Sequence, residues 1–292
     1  MKTLKDVLDE GIKYLVEKEI ENGQIDAWYL FSHIYNIDRA KYFLHSNEET
    51  SIIKYDTYMD LIKKRAKHIP LQYILGYQEF MGLRFKVNEH VLIPRQDTEI
   101  LVEEVLRVSS NKDVLDLCTG SGCIIISLMK LGNINRAVGV DISRKALEIA
   151  KENASINKVN IEFKQSDLFS RVHDKFDIIV SNPPYIPNWE INRLSPEVRD
   201  YEPHLALDGK EDGLYFYRSI AKKVKDYLNP GGYIFFEIGY NQVDDLKKIL
   251  KDEGIKEVKV IKDLSGLDRV IKGRYNYEKG YLYLSGFRNH SN

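Results

Sequence analysis

From Asp113 onward the chain repeats one pattern, a short apolar run followed by a stretch with helical spacing. Val114-Leu115-Asp116-Leu117 leads into a helix from Ser121, and Ala137-Val138-Gly139-Val140-Asp141 into a helix from Ser143 to about Asn153. Further runs stand at Ile161–Phe163, Phe176–Val180 and Tyr233–Ile238, with helices near Leu214–Leu228 and Val243–Leu250. Strands near Val258–Ile261 and Tyr281–Leu284 close the series. Alternation of this regularity predicts an α/β fold with a doubly wound parallel sheet. In such a sheet, ligands bind beyond the carboxyl ends of the strands.

The preceding segment reads differently. Leu4, Val7, Leu8, Ile12 and Leu15 recur at helical spacing, with Thr3 and Asp6 placed as a capping pair. Ala27, Leu30, Phe31 and Ile34 form a second stripe, and Tyr55, Tyr58, Met59 and Ile62 a third that ends before Pro70. Residues 1–75 are therefore expected to form a small all-α domain. Phe80, Leu83, Phe85 and Val87, interrupted by Gly82, predict a β-hairpin connector over 76–95, and 96–292 form the catalytic domain. A net charge of −1 provides no global field to gather nucleic acid. Cys118 and Cys123 are too few for a disulfide framework, and no run approaches a membrane span or a signal peptide, so a cytoplasmic protein is expected.

At the carboxyl ends of the strands, the first run enters Asp116-Leu117-Cys118-Thr119-Gly120-Ser121-Gly122, whose small residues let the backbone turn sharply beside a ligand. Roughly 20 residues beyond, Asp141 ends the second strand, where a carboxylate accepts from both hydroxyls of a ribose. Asp167, at the end of the third, is placed to accept from an adenine amine. These groups describe an adenosine pocket. The third glycine of a dinucleotide fingerprint is replaced by Ile125, and no phosphate loop of the Gly-x-x-x-x-Gly-Lys type is present. A phosphate-free sulfonium cofactor, S-adenosylmethionine, fits better. No metal site is expected, since neither cysteine has paired histidines nearby.

The fourth strand runs into Asn182-Pro183-Pro184-Tyr185. Two prolines cannot continue a ladder, so the strand ends in a stiff loop. It offers an amide oxygen (Asn182), a backbone carbonyl (Pro183) and an aromatic ring (Tyr185) to a planar, nitrogen-bearing group. An amide nitrogen is a poor nucleophile because its lone pair is delocalised. Two fixed acceptors, Asn182 Oδ1 and the Pro183 carbonyl, would hold its N–H bonds and turn the nitrogen toward a methyl donor. A base amine would fit the same clamp.

The chain resembles the HemK-type release-factor glutamine methyltransferases over nearly its whole length. The resemblance rests on Pro70-Leu-Gln-Tyr-Ile-Leu-Gly76, Leu92-Ile-Pro-Arg-Gln-Asp-Thr-Glu99, Asp116 to Gly122, Asn182 to Tyr185, Tyr201-Glu-Pro203, Glu237-Ile-Gly239 and Gly266-Leu-Asp-Arg-Val270. It implies a class I S-adenosylmethionine-dependent methyltransferase with a seven-stranded sheet, acting on the glutamine of the Gly-Gly-Gln loop of peptide-chain release factors. It further implies that the helical domain helps dock the factor. In this reading Asn182 and Pro183 bind the glutamine amide, with Pro184 and Tyr185 shaping the slot. Cys118, Thr119, Gly120, Ser121, Gly122, Asp141, Asp167 and Leu168 hold the cofactor, and Asn182 touches both ligands. Arg95, Thr98 and Glu99 are expected to cover the cofactor. Trp189, Glu197 and His204 lie in the long loop after the fourth strand, which is expected either to close over substrate or simply to pack or stay exposed. The family often has glycine at the position of Cys118 and proline at that of Gln96. A monomer without stable nucleic-acid binding is expected. The alternatives are a ribosomal-protein glutamine, an exocyclic amine of adenine or guanine, and a binding module without turnover.

Overall fold

A computed structural model describes residues 2–275. Its N-terminal helices are α1 (Leu4–Glu17), α2 (Gly23–Tyr35), α3 (Arg39–His45), α4 (Ile52–Arg65) and α5 (Leu71–Leu75). The α1 start is a full capping box, in which Thr3 Oγ1 accepts from Asp6 N and Asp6 Oδ2 accepts from Thr3 N. The anticipated stripes meet in one cluster, with Val7, Leu15, Leu30, Phe31, Tyr58 and Ile62 inaccessible to solvent. Helix α3 was not expected from the sequence because none of its residues is buried, leaving no apolar stripe to read.

The hairpin forms as β1 (Tyr77–Phe80) and β2 (Leu83–Lys86). Phe80 and Phe85 are buried in the core that also holds Val102, Ile125 and Val180, so the hairpin adheres to the larger unit. Buried Asn153 fixes it there. Its Oδ1 accepts from Lys86 N at 2.6 Å, and its Nδ2 donates to Lys86 O and to Ser121 O. A 3-10 turn, Gln96–Thr98, then leads into α6 (Glu99–Leu106).

The remaining elements are β3 (Asp113–Leu117), α7 (Cys123–Leu131), β4 (Arg136–Asp141), α8 (Arg144–Asn157), β5 (Glu162–Gln165), β6 (Phe176–Ser181), α9 (Asn188–Ile191), α10 (Pro196–Tyr201), α11 (Tyr215–Tyr227), β7 (Leu228–Glu237), α12 (Val243–Asp252), β8 (Lys256–Lys262) and β9 (Asp268–Arg274). They build a seven-stranded sheet of order β5-β4-β3-β6-β7-β9-β8. The first five of these strands are parallel, and β9 is antiparallel to both β7 and β8. Side chains alternate along each strand. Leu115 and Leu117 face Tyr217, Val224 and Leu246 of α11 and α12 on one side, while Val114 faces Leu101, Ile124 and Leu128 of α6 and α7 on the other. Helices thus cover both faces, which is why the strands read as continuous apolar runs.

The strand expected at Tyr281–Leu284 lies outside the described residues. The antiparallel strand seen is β9, whose Arg269, Lys272, Gly273 and Arg274 hide its apolar face in the sequence. Gly273 is required where Ile255 crosses, because a Cβ there would sit 2.3 Å from Ile255 Cγ2. No described helix is long and apolar enough to cross a membrane.

Candidate active site

β3 lies between β4 and β6, and the direction of strand progression reverses there. Leu117 pairs with Ser181, so Cys118–Gly122 and Asn182–Tyr185 leave the sheet side by side. Ser181 Oγ ties them together by donating to Leu117 O at 2.7 Å.

A cavity opens over these strand ends. Its wall takes Cys118 and Gly120 from the first loop, Asp141 from the end of β4, Asp167 and Leu168 from beyond β5, and Asn182 and Pro184 from beyond β6. Leu92, Pro203, Leu205 and Phe216 close over it from other segments. Thr119 and Ser121 are buried, and Thr119 Oγ1 donates to Asp116 Oδ2 at 2.6 Å. Cys118 adopts φ 59°, a left-handed conformation that favours glycine.

The Asp141 carboxylate organises the rim. Oδ2 accepts from Gly120 N at 2.9 Å and Oδ1 from Ser143 N at 2.8 Å, so one side chain joins the first loop to the start of α8. Burial raises its pKa, while the N–H groups of Ser143 and Gly120 oppose the rise. Asp116 is fully buried, its Oδ1 has no hydrogen-bond partner among the described residues, and burial pushes its pKa up to about 7 against the Thr119 hydrogen bond. Burial also pushes the Cys118 thiol up, so Cys118 is a neutral wall residue.

This lining fits the expected cofactor. Among the described residues it holds Asp141 and Asp167 but no lysine or arginine, which suits a sulfonium and a ribose better than a pyrophosphate. A Cβ on Gly120 would meet nothing within 4 Å, leaving the backbone open to close approach by a ligand.

A second, more polar cavity lies across the Asn182–Tyr185 loop. It is lined by Gln72, Gln78, Arg95, Asp97, Tyr185 and Arg269, with Glu237 in its wall. Pro183 is buried between Asn182 and Pro184 of the first cavity and Tyr185 of the second. Tyr185 packs on the core, and its hydroxyl reaches toward Glu237 Oε1 at 3.5 Å. Burial raises the Tyr185 pKa, so it serves as a neutral donor.

Arg95, Thr98 and Glu99, expected over the cofactor, are not among the residues that line the first cavity. Arg95 lines the second cavity and pairs with Glu202. Glu99 Oε1 accepts from Met81 N and braces the hairpin. Thr98 is buried behind Asn182, whose Nδ2 donates toward Thr98 Oγ1 at 3.5 Å. Of the long-loop residues, Trp189 and His204 are exposed. Glu197 pairs with Arg65 of α4, and Tyr201 donates to Lys67 O, so α10 is fastened to the helical segment.

Sequence reasoning missed Glu237 as a site residue. It is nearly inaccessible, Oε2 has no hydrogen-bond partner among the described residues, and burial pushes its pKa up to about 7. Thr98, Arg269 and Asn182 oppose that rise. Its signals in the sequence are a carboxylate at the end of an apolar run and its place in the Glu237-Ile-Gly239 stretch.

A family model described as Methyltransferase small domain matches residues 95–194, and one described as PrmC N-terminal domain matches residues 6–76. Release factor glutamine methyltransferase of Geobacter sulfurreducens is 41% identical over 274 residues, covering 93% of this chain and 96% of that protein. The protein of the same description from Clostridium botulinum is 42% identical over 279 residues, covering 93% and 99%. A solved methyltransferase structure from Pyrococcus furiosus aligns with a TM-score of 0.53 at 18% identity, covering 68% of this chain and 91% of that one, a likeness of fold.

Proposed function

The chain belongs to the release factor glutamine methyltransferase family, and on that premise we propose that it methylates the side-chain amide of the glutamine in a release factor's Gly-Gly-Gln loop. The methyl donor is S-adenosylmethionine, which when bound supplies an electrophilic methyl on a cationic sulfur. One observation carries the reading. The Asn182–Tyr185 loop stands between an apolar cavity with acidic groups and a polar one, so a single short segment faces both reactants.

The roles of the chain's own residues follow from that placement. Asp141 takes the ribose hydroxyls, Asp167 and Leu168 border the adenine, and the Cys118–Gly122 backbone lies along the amino-acid tail. Asn182 Oδ1 and the Pro183 carbonyl accept the two N–H bonds of the glutamine amide and aim its nitrogen at the first cavity. Holding the reactants this way supplies up to roughly 7–11 kcal/mol of the barrier. The new nitrogen–carbon bond would replace the methyl's bond to sulfur, whose electron pair stays on sulfur. The amide proton, made acidic by the fourth bond, would then pass to water, so no strong base is needed beforehand. Pro184 and Tyr185 form the walls of the slot.

The helical segment 1–75, with the hairpin of 76–95 joining it to the catalytic unit 96–292, docks the body of the release factor. Its fastening to α10 through Arg65–Glu197 supports this reading. The protein acts as a cytoplasmic monomer and does not hold nucleic acid stably.

The test is tritiated S-adenosylmethionine offered to purified release factor, ribosomal protein, tRNA, rRNA and DNA in parallel. Label is expected on release factor alone, and predominant label on another acceptor would overturn the assignment. Asn182→Ala is expected to leave cofactor affinity within a few-fold while turnover falls ~10²-fold or more. Unchanged turnover would remove Asn182 from the mechanism.

A further inference from the structure

An asparagine amide presents oxygen at one end and NH2 at the other, and only one orientation suits this reaction. The reacting nitrogen carries N–H bonds, so it needs an acceptor, and the Asn182 NH2 group turned toward it would offer only donors. Something behind Asn182 must decide between the two orientations.

The sheet supplies it. Ser181 of β6 pairs with Phe236 of β7, so Asn182 and Glu237 are the next residues on adjacent parallel strands. Glu237 is also paired with Val270 of β9. Thr98 closes the third side, and both Thr98 and Glu237 are 2% exposed. Asn182 Nδ2 points toward Thr98 Oγ1 at 3.5 Å, and the Glu237 carboxyl lies close enough to both side chains to interact with each. Its Oε2 retains an unused acceptor site.

We propose that Thr98 and Glu237 are positioning residues that set the orientation of the Asn182 amide, drawing its NH2 group inward so that Oδ1 faces the reacting nitrogen. In its ionised form the Glu237 carboxyl can only accept, so beside it the NH2 end is favoured and the oxygen end repelled. With its lone pair taken by Asn182, the Thr98 hydroxyl has its hydrogen left to turn toward the unused Glu237 Oε2. Tyr185, donating to the other carboxylate oxygen, keeps Glu237 from turning toward the open cavity. Neither Thr98 nor Glu237 touches the reacting atoms. The inference rests on the reading of Asn182 as acceptor for a planar NH2 group, whichever molecule bears it.

The test compares Thr98→Val, which keeps the shape and removes the hydroxyl, with Thr98→Ser, which keeps the hydroxyl. Turnover and cofactor affinity are measured on each full-length protein. Thr98→Val is expected to lower kcat at least ~10-fold with cofactor affinity within about 3-fold of wild type, and Thr98→Ser to restore kcat to within about 3-fold. Near-normal kcat in Thr98→Val, or an equal fall in both variants, would overturn the proposal. Should Thr98→Val fail to fold, Glu237→Gln decides, because an amide there can face Asn182 with either end. Its kcat is expected to fall with affinity retained, and unchanged kcat would overturn the proposal. Turnover is read on whichever acceptor the wild-type protein labels. A wild type inert toward release factor but active on another acceptor thus counts against the substrate reading alone, and one that labels nothing overturns both.

Discussion

Replacing Gly213 by alanine drives a methyl carbon into the carbonyl that ends the Asn182–Tyr185 loop. The new Cβ would stand 2.3 Å from Tyr185 O and 2.8 Å from Gln242 Nε2, and Gly213 has φ +76°. The left-handed backbone alone costs an alanine about 1–2 kcal/mol. Relief of the contact needs a shift of about 1 Å, which also breaks the bond from Gln242 Nε2 to Tyr185 O, at 3.1 Å in the native protein. Losing that bond costs a further 0.5–1.5 kcal/mol or so. The expected loss of stability is therefore roughly 2–4 kcal/mol, read from urea denaturation. The kinetic effect should be larger, since a 1 Å misplacement of positioning groups costs on the order of 10²-fold in rate. Single-turnover methyl transfer at saturating cofactor measures it per folded molecule, with calorimetry reporting cofactor affinity separately. Gly254→Ala is the control. Gly254 also has positive φ (+75°), but its Cβ would meet nothing within 4 Å. It should lose about 1–2 kcal/mol and no rate. Wild-type turnover per folded Gly213→Ala molecule would refute the claim that the loop's position limits the reaction.

Two further perturbations probe other parts of the account. Arg65, buried at the end of α4, donates to Asp26 Oδ2 at 2.7 Å and pairs with Glu197 of α10. Arg65→Met strands two carboxylates and should cost about 3–5 kcal/mol in urea denaturation, with a loss under 1 kcal/mol contradicting the network's role. Asp116 has its pKa raised from 3.8 to about 7 by burial, so between those values the folded chain keeps a proton that the unfolded chain has released. Its contribution to stability is full below pH 3.8 and declines as pH rises through 7. Asp116→Asn removes this dependence and should raise the melting temperature more at pH 8 than at pH 5. An equal change at both values would contradict the burial argument.

What could be read from the sequence was whatever short-range pattern determines. The alternation of apolar runs and helical stripes foretold the doubly wound sheet, and the end of each run foretold Cys118, Asp141 and Asn182 at one edge. The other half of the site depends on register and tertiary closure. Glu237 reads as one charge after Tyr-Ile-Phe-Phe, and only the pairing of Ser181 with Phe236 brings it beneath Asn182. Thr98, expected over the cofactor, is instead buried beside Asn182, a neighbour 84 residues along the chain. The second cavity is assembled from Gln72, Gln78, Arg95, Tyr185 and Arg269 on separate segments, so no local pattern announces it. The strand β9 has no readable stripe because its interspersed charges and Gly273 mask the buried Val270 and Ile271.

The central claim is that this protein methylates one amide nitrogen of one glutamine. Tandem mass spectrometry of release factor, after incubation with the protein and S-adenosylmethionine, tests it most directly. The account predicts a single added methyl on the side-chain amide of the glutamine in the Gly-Gly-Gln loop, lost when Asn182 is alanine. Methylation at any other residue, or a release factor left unmodified under conditions where another acceptor is methylated, would contradict it.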